Sequence, residues 1–229
     1  DKEINTAIEH NEKRVTLRSI ISNNNLPQTI LQLKELTSLG LTNNSLTILP
    51  DVIFSLNSLN ELYISKNAIS TIPNSITKLT NLTSISATAC SLTSIPAVVS
   101  ALPLTYLNVR QNKIQTLPKE LFEEGGVPTK LASSITELNL ASNEIQEIPS
   151  TIKHCKLMEG IDCSSNKITT LIKELSLLPV VGYFDFKMNE IDKLDFLSFL
   201  DDFLCFLPLT SPNFRPSAGR DRKSTRLNS

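Results

Sequence analysis

The sequence predicts an α/β fold built as a solenoid, a curved stack of repeating units with parallel strands on its concave face and turns or short helices on its convex face. Three observations predict it: an asparagine recurs at nearly constant spacing, apolar residues keep fixed offsets from it, and a proline closes most units. A fixed period of about 20 to 50 residues is typical of such repeat architectures.

The recurring asparagine sets the period of the chain. Its successive spacings are 23, 23, 22, 31, 23 and 23 residues, and a cysteine takes its place once. Apolar residues lie eight, five and three positions before it, and two and five positions after it. The ladder positions defined in this way are Asn44, Asn67, Cys90, Asn112, Asn143, Asn166 and Asn189.

Each unit is expected to contribute one short strand. In the segment before Asn44, Leu39 and Leu41 alternate with Gly40, so the leucines point inward and the glycine outward. A proline follows the last apolar position, and because proline fixes φ and lacks an amide hydrogen, it ends the strand pairing and begins a turn or short helix on the opposite side. These prolines are Pro50, Pro73, Pro96, Pro118 and Pro149.

Stacking of the units is expected because one unit cannot shield its own apolar stripe. Neighbouring units then bury a continuous core and align their strands in parallel. The ladder asparagine has a structural role in this arrangement, since a buried carboxamide can satisfy backbone groups of its own unit and of the next. Cys90 is interpreted as a substitute at that position, with its S–H as a weak donor.

The unit LxxLxLxxNxLxxLPxxI resembles that of leucine-rich repeat proteins, over roughly residues 13–195. It is most similar to the 23-residue LPxxI type found in intracellular Ras-associated repeat scaffolds. The resemblance implies a non-catalytic solenoid that binds a protein partner, with a Ras-like GTPase or another signalling protein as candidates.

Five segments are predicted along the chain. Residues 1–14 are charged and form either a helical cap or the remnant of an earlier repeat, and 15–195 form the repeat domain. An insert near 122–130 lengthens one unit, as a functional loop or as neutral drift. Residues 196–220 are apolar and are expected to form a C-terminal cap, with misassembled sequence as the alternative. Residues 221–229 match an in-frame translation of a common sequencing adapter and are expected to be an artefact rather than a basic tail.

Composition excludes several function classes. Lys and Arg number 22 against 23 Asp and Glu, so no overall positive field favours nucleic acid, and no apolar run is long enough to span a membrane. With 6 Gly, 2 His and no nucleotide-binding, Walker, HExxH or GxSxG pattern, we expect no catalytic residues, no metal site and no cofactor. The sequence does not indicate an oligomeric state.

The remaining reactive residues are assigned structural roles. The four cysteines lack CxxC spacing, and Cys163 occupies an inward leucine position. Scattered free thiols without clustered disulfide caps are typical of a reducing compartment, so a cytoplasmic location is predicted. His154 is expected to be a solvated residue on the return side of its unit.

Function is therefore sought on the outward strand positions, which together would form one concave face. All three tyrosines of the chain fall there, as does an arginine, and both residue types are enriched at interface hot spots. An acidic run follows toward the C-terminal end and could select a basic partner. The candidate partner-binding residues are Tyr63, Lys66, Tyr106, Asn108, Arg110, Glu137, Asp162, Tyr183, Asp185 and Lys187.

Two functions fit these observations. The first is a non-catalytic protein-interaction module, an intracellular signalling scaffold that binds its partner on the concave face. The second is the recognition arm of a larger signalling enzyme, such as a kinase, GTPase or ubiquitin ligase, whose catalytic part lies outside this sequence. A full-length transcript would discriminate between them.

Overall fold

The computed structural model describes residues 2–19 and 24–194. The two helices of this part are α1 (Lys2–Glu9) and α2 (Lys130–Ser134). Its strands are β1 (Arg14–Thr16), β2 (Ser38–Gly40), β3 (Glu61–Tyr63), β4 (Ser84–Ser86), β5 (Tyr106–Asn108), β6 (Glu123–Glu124), β7 (Val127–Pro128), β8 (Glu137–Asn139), β9 (Gly160–Asp162), β10 (Thr170–Leu171), β11 (Tyr183–Asp185) and β12 (Lys193–Leu194). The predicted cap at 196–220, the segment 221–229 and Cys205 lie outside the described residues.

Eight strands form one parallel sheet in the order β1-β2-β3-β4-β5-β8-β9-β11. The register is constant: the first residue of each strand pairs with the first residue of the next, as Ser38 pairs with Glu61 and Tyr106 with Glu137. This arrangement, with short helices and turns on the return side, confirms the predicted α/β solenoid. The repeat period identified seven of these strands, and β1 adds an eighth ahead of them.

The core lies between the sheet and the return segments and runs the length of the stack. The middle residue of each strand is buried, from Val15 through Leu62 and Leu107 to Phe184. Burying one such side chain contributes roughly 1.5–3 kcal/mol to stability. In front of β1, helix α1 buries Ile4 and Ala7 against this core.

The return segments are mainly short 3₁₀ helices. A proline precedes six of them, and its φ lies between −59° and −76° with an extended ψ. Because proline lacks the backbone N–H that strand pairing needs, the pairing ends there, and the chain enters a tight turn. The 3₁₀ helices are Gln28–Gln32, Asp51–Ser55, Asn74–Lys78, Ala97–Ala101, Lys119–Leu121, Ser150–His154 and Lys173–Leu177.

The insert near 122–130 is an ordered hairpin. Strands β6 and β7 pair antiparallel through Gly125 and Gly126, whose φ values are +60° and +85°. Positive φ at both central residues is the requirement of a type I′ hairpin turn, which glycine meets without strain. The hairpin leads into α2, where the Thr129 hydroxyl caps the helix by accepting from the Ala132 amide at 3.1 Å.

Candidate functional site

The outward side chains of the sheet form regular rows, because the constant register places equivalent residues side by side. The first row holds the first residue of each strand: Arg14, Ser38, Glu61, Ser84, Tyr106, Glu137, Gly160 and Tyr183. The second row holds the third residue: Thr16, Gly40, Tyr63, Ser86, Asn108, Asn139, Asp162 and Asp185. We call these two rows, with the outward residue two positions beyond each strand, the open face.

A further row at the rim has left-handed backbone. The residue directly before each ladder position has φ between +52° and +61°, and none of these residues is glycine. This conformation turns the chain out of the strand, so Lys66 (φ +56°) lies on the rim beyond Tyr63 rather than in the sheet. The rim residues are Asn43, Lys66, Ala89, Gln111, Ser142, Ser165 and Met188.

The ladder asparagines hold this rim in place. The Asn67 carboxamide accepts from the Asn44 and Leu46 amides at 3.0 and 2.9 Å and donates to the Leu41 and Ile64 carbonyls at 2.9 and 2.7 Å. The same pattern of bonds to the own and the preceding unit recurs at Asn112, Asn143, Asn166 and Asn189. At Cys90, the thiol contacts the Ile64 and Thr88 carbonyls, and its sulfur accepts from the Asn67 backbone amide.

Tyr63 is held on the open face by its neighbours. Its hydroxyl donates to Glu61 Oε2 at 3.1 Å, and the other oxygen of that carboxylate lies 3.4 Å from Arg14 Nη2. Partial burial and the adjacent Glu61 carboxylate raise the pKa of Tyr63, so the ring carries a neutral hydroxyl. The side chain is 37% exposed and presents its ring to solvent.

The centre of the face is a hydrogen-bonded polar patch. Asn108 Nδ2 donates to Tyr106 Oη at 3.0 Å, and Asn108 Oδ1 accepts from the Thr88 hydroxyl at 3.1 Å and from the Arg110 amide at 3.1 Å. Tyr106 is half-buried and Arg110 is exposed. Asn108 thus holds the Tyr106 ring in place, and the Arg110 guanidinium has no ion-pair partner among the described residues.

Tyr183 lies across the neighbouring strand. A Cβ atom at Gly160 would overlap the Tyr183 ring, so the ring occupies the space that glycine leaves on β9. Burial, the Glu137 carboxylate, Tyr106 and Asp162, in that order, raise the pKa of Tyr183 to about 12. The ring therefore lies among both tyrosine and carboxylate neighbours on the open face.

The remaining candidate residues lie at the C-terminal end of the face. Asp162 accepts from the Ser164 hydroxyl at 2.7 Å and from Asn139 Nδ2 at 3.4 Å. Asp185 Oδ2 lies 3.8 Å from Lys187 Nζ, a loose pair between exposed or half-buried groups. Both carboxylates thus lie on the face, one bonded to neutral donors and the other beside a lysine.

Two features of the site were not found from the sequence. Arg14 and Thr16 extend the face by one strand; the alternation of Val15 and Leu17, which matches Leu39 and Leu41 one unit later, would have indicated this. The second feature is a threonine series at the strand entries, where each hydroxyl donates to a carbonyl of the preceding unit at 2.9–3.3 Å. Its members are Thr37, Thr83, Thr105 and Thr136.

The return side carries no second reactive centre among the residues that the structure describes. His154 is half-buried rather than solvated, and its Nε2 lies 2.7 Å from Glu123 Oε2 of the hairpin. Cys155 and Cys163 are buried, and burial raises the pKa of both thiols. Within residues 2–19 and 24–194, no group of three or more His, Cys, Asp or Glu side chains is placed to hold a metal ion, and no helix is long and apolar enough to cross a membrane.

Comparisons with known proteins agree with this geometry. The leucine rich repeat family matches residues 34–92, and a second leucine rich repeat family matches residues 134–155. No curated protein matches the chain.

Among solved structures, a leucine-rich repeat protein of Leptospira interrogans is similar over 73% of this chain and 41% of its own, with 28% identity and a TM-score of 0.66. The leucine-rich repeat domain of APL1 is similar over 82% of this chain and 47% of its own, at 20% identity and a TM-score of 0.66. TLR13, in a complex with the RNA ssRNA13, is similar over 79% of this chain and 26% of its own, at 26% identity and a TM-score of 0.60. The chain spans less than half the length of each of these proteins.

Proposed function

Because the chain is a leucine-rich repeat protein, we propose that it binds a protein partner on the open face of its sheet, the concave face of the solenoid, and carries out no chemistry itself. Fold alone does not determine function, so the proposal depends on the residues of the face. They provide hydrogen-bonding groups and ring surfaces.

The observation that carries the proposal is the placement of all three tyrosines on this one face. Tyr63, Tyr106 and Tyr183 lie on β3, β5 and β11 of one parallel sheet, whose constant register turns all three side chains toward the same face. Tyrosine combines a large apolar ring with a polar hydroxyl, and it is enriched among residues that dominate binding energy. Arg110 adds a planar donor of the kind enriched at the same positions.

A protein is favoured over a nucleic acid as the partner. Nucleic-acid affinity is dominated by neutralising phosphates with lysine and arginine. The chain has a formal net charge of −1, and Glu137, Asp162 and Asp185 on the open face would repel a phosphate backbone. The RNA in the TLR13 structure is thus no guide to the partner of this chain.

The finer parts of the proposal are an intracellular location and a signalling role. The three described cysteines are free thiols, which suits a reducing compartment. The LPxxI unit resembles that of Ras-associated scaffolds, so a Ras-like GTPase or another signalling protein is the first partner to test.

The test is a comparison of partner capture by matched variants. Tyr106→Ala/Arg110→Ala removes a ring and a cation from the face; Lys119→Ala/Leu157→Ala removes a cation and an exposed apolar side chain from the return side. Captured proteins are identified by mass spectrometry and their Kd values measured by calorimetry. We expect the face variant to raise the Kd of the partner at least tenfold and the control variant to leave the Kd unchanged. Equal capture by both variants would overturn the proposal.

A further inference from the structure

The open face and its rim carry opposite charge at their two ends. The basic half, from β1 to β5, has four cations and one carboxylate: Arg14, Arg18, Lys66, Arg110 and Glu61. The acidic half, from β8 to β11, has three carboxylates and one cation: Glu137, Asp162, Asp185 and Lys187. The net charge of the whole chain conceals this division, because the two halves nearly cancel.

Ion pairs within the face neutralise neither the basic half nor the acidic half. In the basic half Arg14 pairs with Glu61, while Lys66 and Arg110 have no ion-pair partner among the described residues. In the acidic half, Glu137 and Asp162 also have no ion-pair partner among the described residues. Asp162 accepts hydrogen bonds from the neutral donors of Ser164 and Asn139. Each half therefore retains charged groups that an opposite charge from outside could reach.

The acidic half also contains an aromatic platform. The Tyr183 ring lies over Gly160, with Glu137 and Asp162 close enough to affect its ionisation. Its hydroxyl has no hydrogen-bond partner among residues 2–19 and 24–194. A cation over the face of an aromatic ring is attracted to it by about 0.5–2 kcal/mol, and arginine is the usual such cation. A ring flanked by two carboxylates therefore suits a guanidinium group.

The dimensions of the face match a short extended segment. Eight strands spaced about 4.8 Å apart give a face about 34 Å long. An extended chain rises about 3.3 Å per residue, so about ten residues cross the whole sheet. Lys66 follows β3 and Asp162 lies on β9, four strand spacings away. This distance is about 19 Å, which about six extended residues would span.

We propose that the partner presents to the open face an extended segment of about ten residues that crosses the strands in one fixed sense, with its arginine-bearing end on Tyr183, Glu137 and Asp162 and its acidic end on Lys66 and Arg110. This inference rests on the proposed function and specifies the chemistry of the partner. The reverse placement would bring like charges together at both ends, which costs affinity.

A synthetic peptide of about ten residues tests the sense of binding directly. One half carries three arginines and the other three aspartates, and a nitroxide is attached at the arginine end. We expect the nitroxide to broaden the amide signals of Gly160 and Asp185 in NMR spectra of the full chain and to leave those of Gly40 and Tyr63 sharp. A control peptide with the same residues in alternating order should bind at least tenfold more weakly.

Charge-neutralising variants complete the test. Glu137→Gln/Asp162→Asn should weaken the block peptide about tenfold, and Glu147→Gln/Glu190→Gln, which removes two exposed carboxylates from outside the face, should not. Broadening of Gly40 by the arginine end, equal affinity for both peptides, or no binding of either would overturn the inference. Those outcomes leave the proposed function standing if Tyr106→Ala/Arg110→Ala still weakens binding of the natural partner at least tenfold.

Discussion

At six of the seven ladder positions, one carboxamide bonds to several backbone groups at once. Asn112 accepts from the Leu92 amide at 3.0 Å and donates to the Ala87 and Val109 carbonyls, both at 2.8 Å. A leucine of similar size would fill the space and leave all three groups without their partner. At the equivalent position Cys90 offers a thiol, whose S–H and sulfur are a weaker donor and acceptor than a carboxamide.

Asn112→Leu should therefore lower the free energy of unfolding by about 3 kcal/mol, because three half-buried backbone groups lose their partner and each costs about 1 kcal/mol when left unpaired. Urea denaturation measures the change. The reciprocal variant Cys90→Asn restores a carboxamide to the ladder and should be neutral or stabilise by about 1 kcal/mol. A transition midpoint that does not move in Asn112→Leu would contradict the ladder argument.

At the scale of the element, a proline decides how many residues a unit needs to reach its strand. Leu102 and Leu178 are each followed by proline and have ψ of 142° and 135°, whereas the equivalent residues of four other units have ψ of 67–73°. Proline imposes this extended backbone on the residue before it. The unit of β5 has one residue fewer between this position and its strand, so the extended backbone brings Leu104 into the core. The unit of β11 keeps that residue, so Val180 packs against the core and Val181 is 85% exposed.

Deleting Val181 should consequently be tolerated, with a change in the free energy of unfolding within about 0.5 kcal/mol, as for other surface changes. The matched control deletes Leu157, which is also exposed (54%) on the preceding unit but is not preceded by a proline. That deletion shifts the buried Met158 out of its position and should cost about 2–5 kcal/mol. Urea denaturation, with hydrogen exchange at the Phe184 amide, measures both; equal losses would show that the extra residue is part of the packing.

At the scale of the whole molecule, every unit is buried by its neighbours, so a group in one unit responds to the integrity of the stack. Cys155 and Cys163 are fully buried in successive units. Burial raises the pKa of the Cys155 thiol from 9.0 to about 12, and that of Cys163 well above 9.0. These shifts exist only while the stack is folded.

Alkaline pH should therefore unfold the protein through its thiols. Between pH 9 and 12 the unfolded chain releases the Cys155 proton and the folded chain retains it, so the stability present below pH 9 falls as pH rises, by roughly 1.4 kcal/mol per pH unit for this thiol. Denaturation in the presence of a reductant should show a shallower decline in Cys155→Ala. Leu102→Ala, at the equivalent position of its own unit, should lower stability at every pH and keep the wild-type slope; identical slopes in both variants would refute the assignment.

Part of the candidate site follows from the sequence pattern, and part follows only from the packing of different units. Alternation along Glu61, Leu62 and Tyr63 was enough to place the tyrosine outward, because side chains of a strand alternate between faces. Nothing in the alternation predicts that Tyr183 lies over Gly160, or that Arg14 pairs with Glu61, since both contacts join residues of different units. Those depend on which strand lies beside which.

The sequence by itself determined the solenoid, its inward and outward positions and the ladder, since each follows from a period that local backbone geometry and burial impose on every unit alike. Only the tertiary structure decided the Glu123–His154 contact and the outward displacement of Val181. These are departures from the repeat, and a departure is resolved by the neighbours that pack against it rather than by the period.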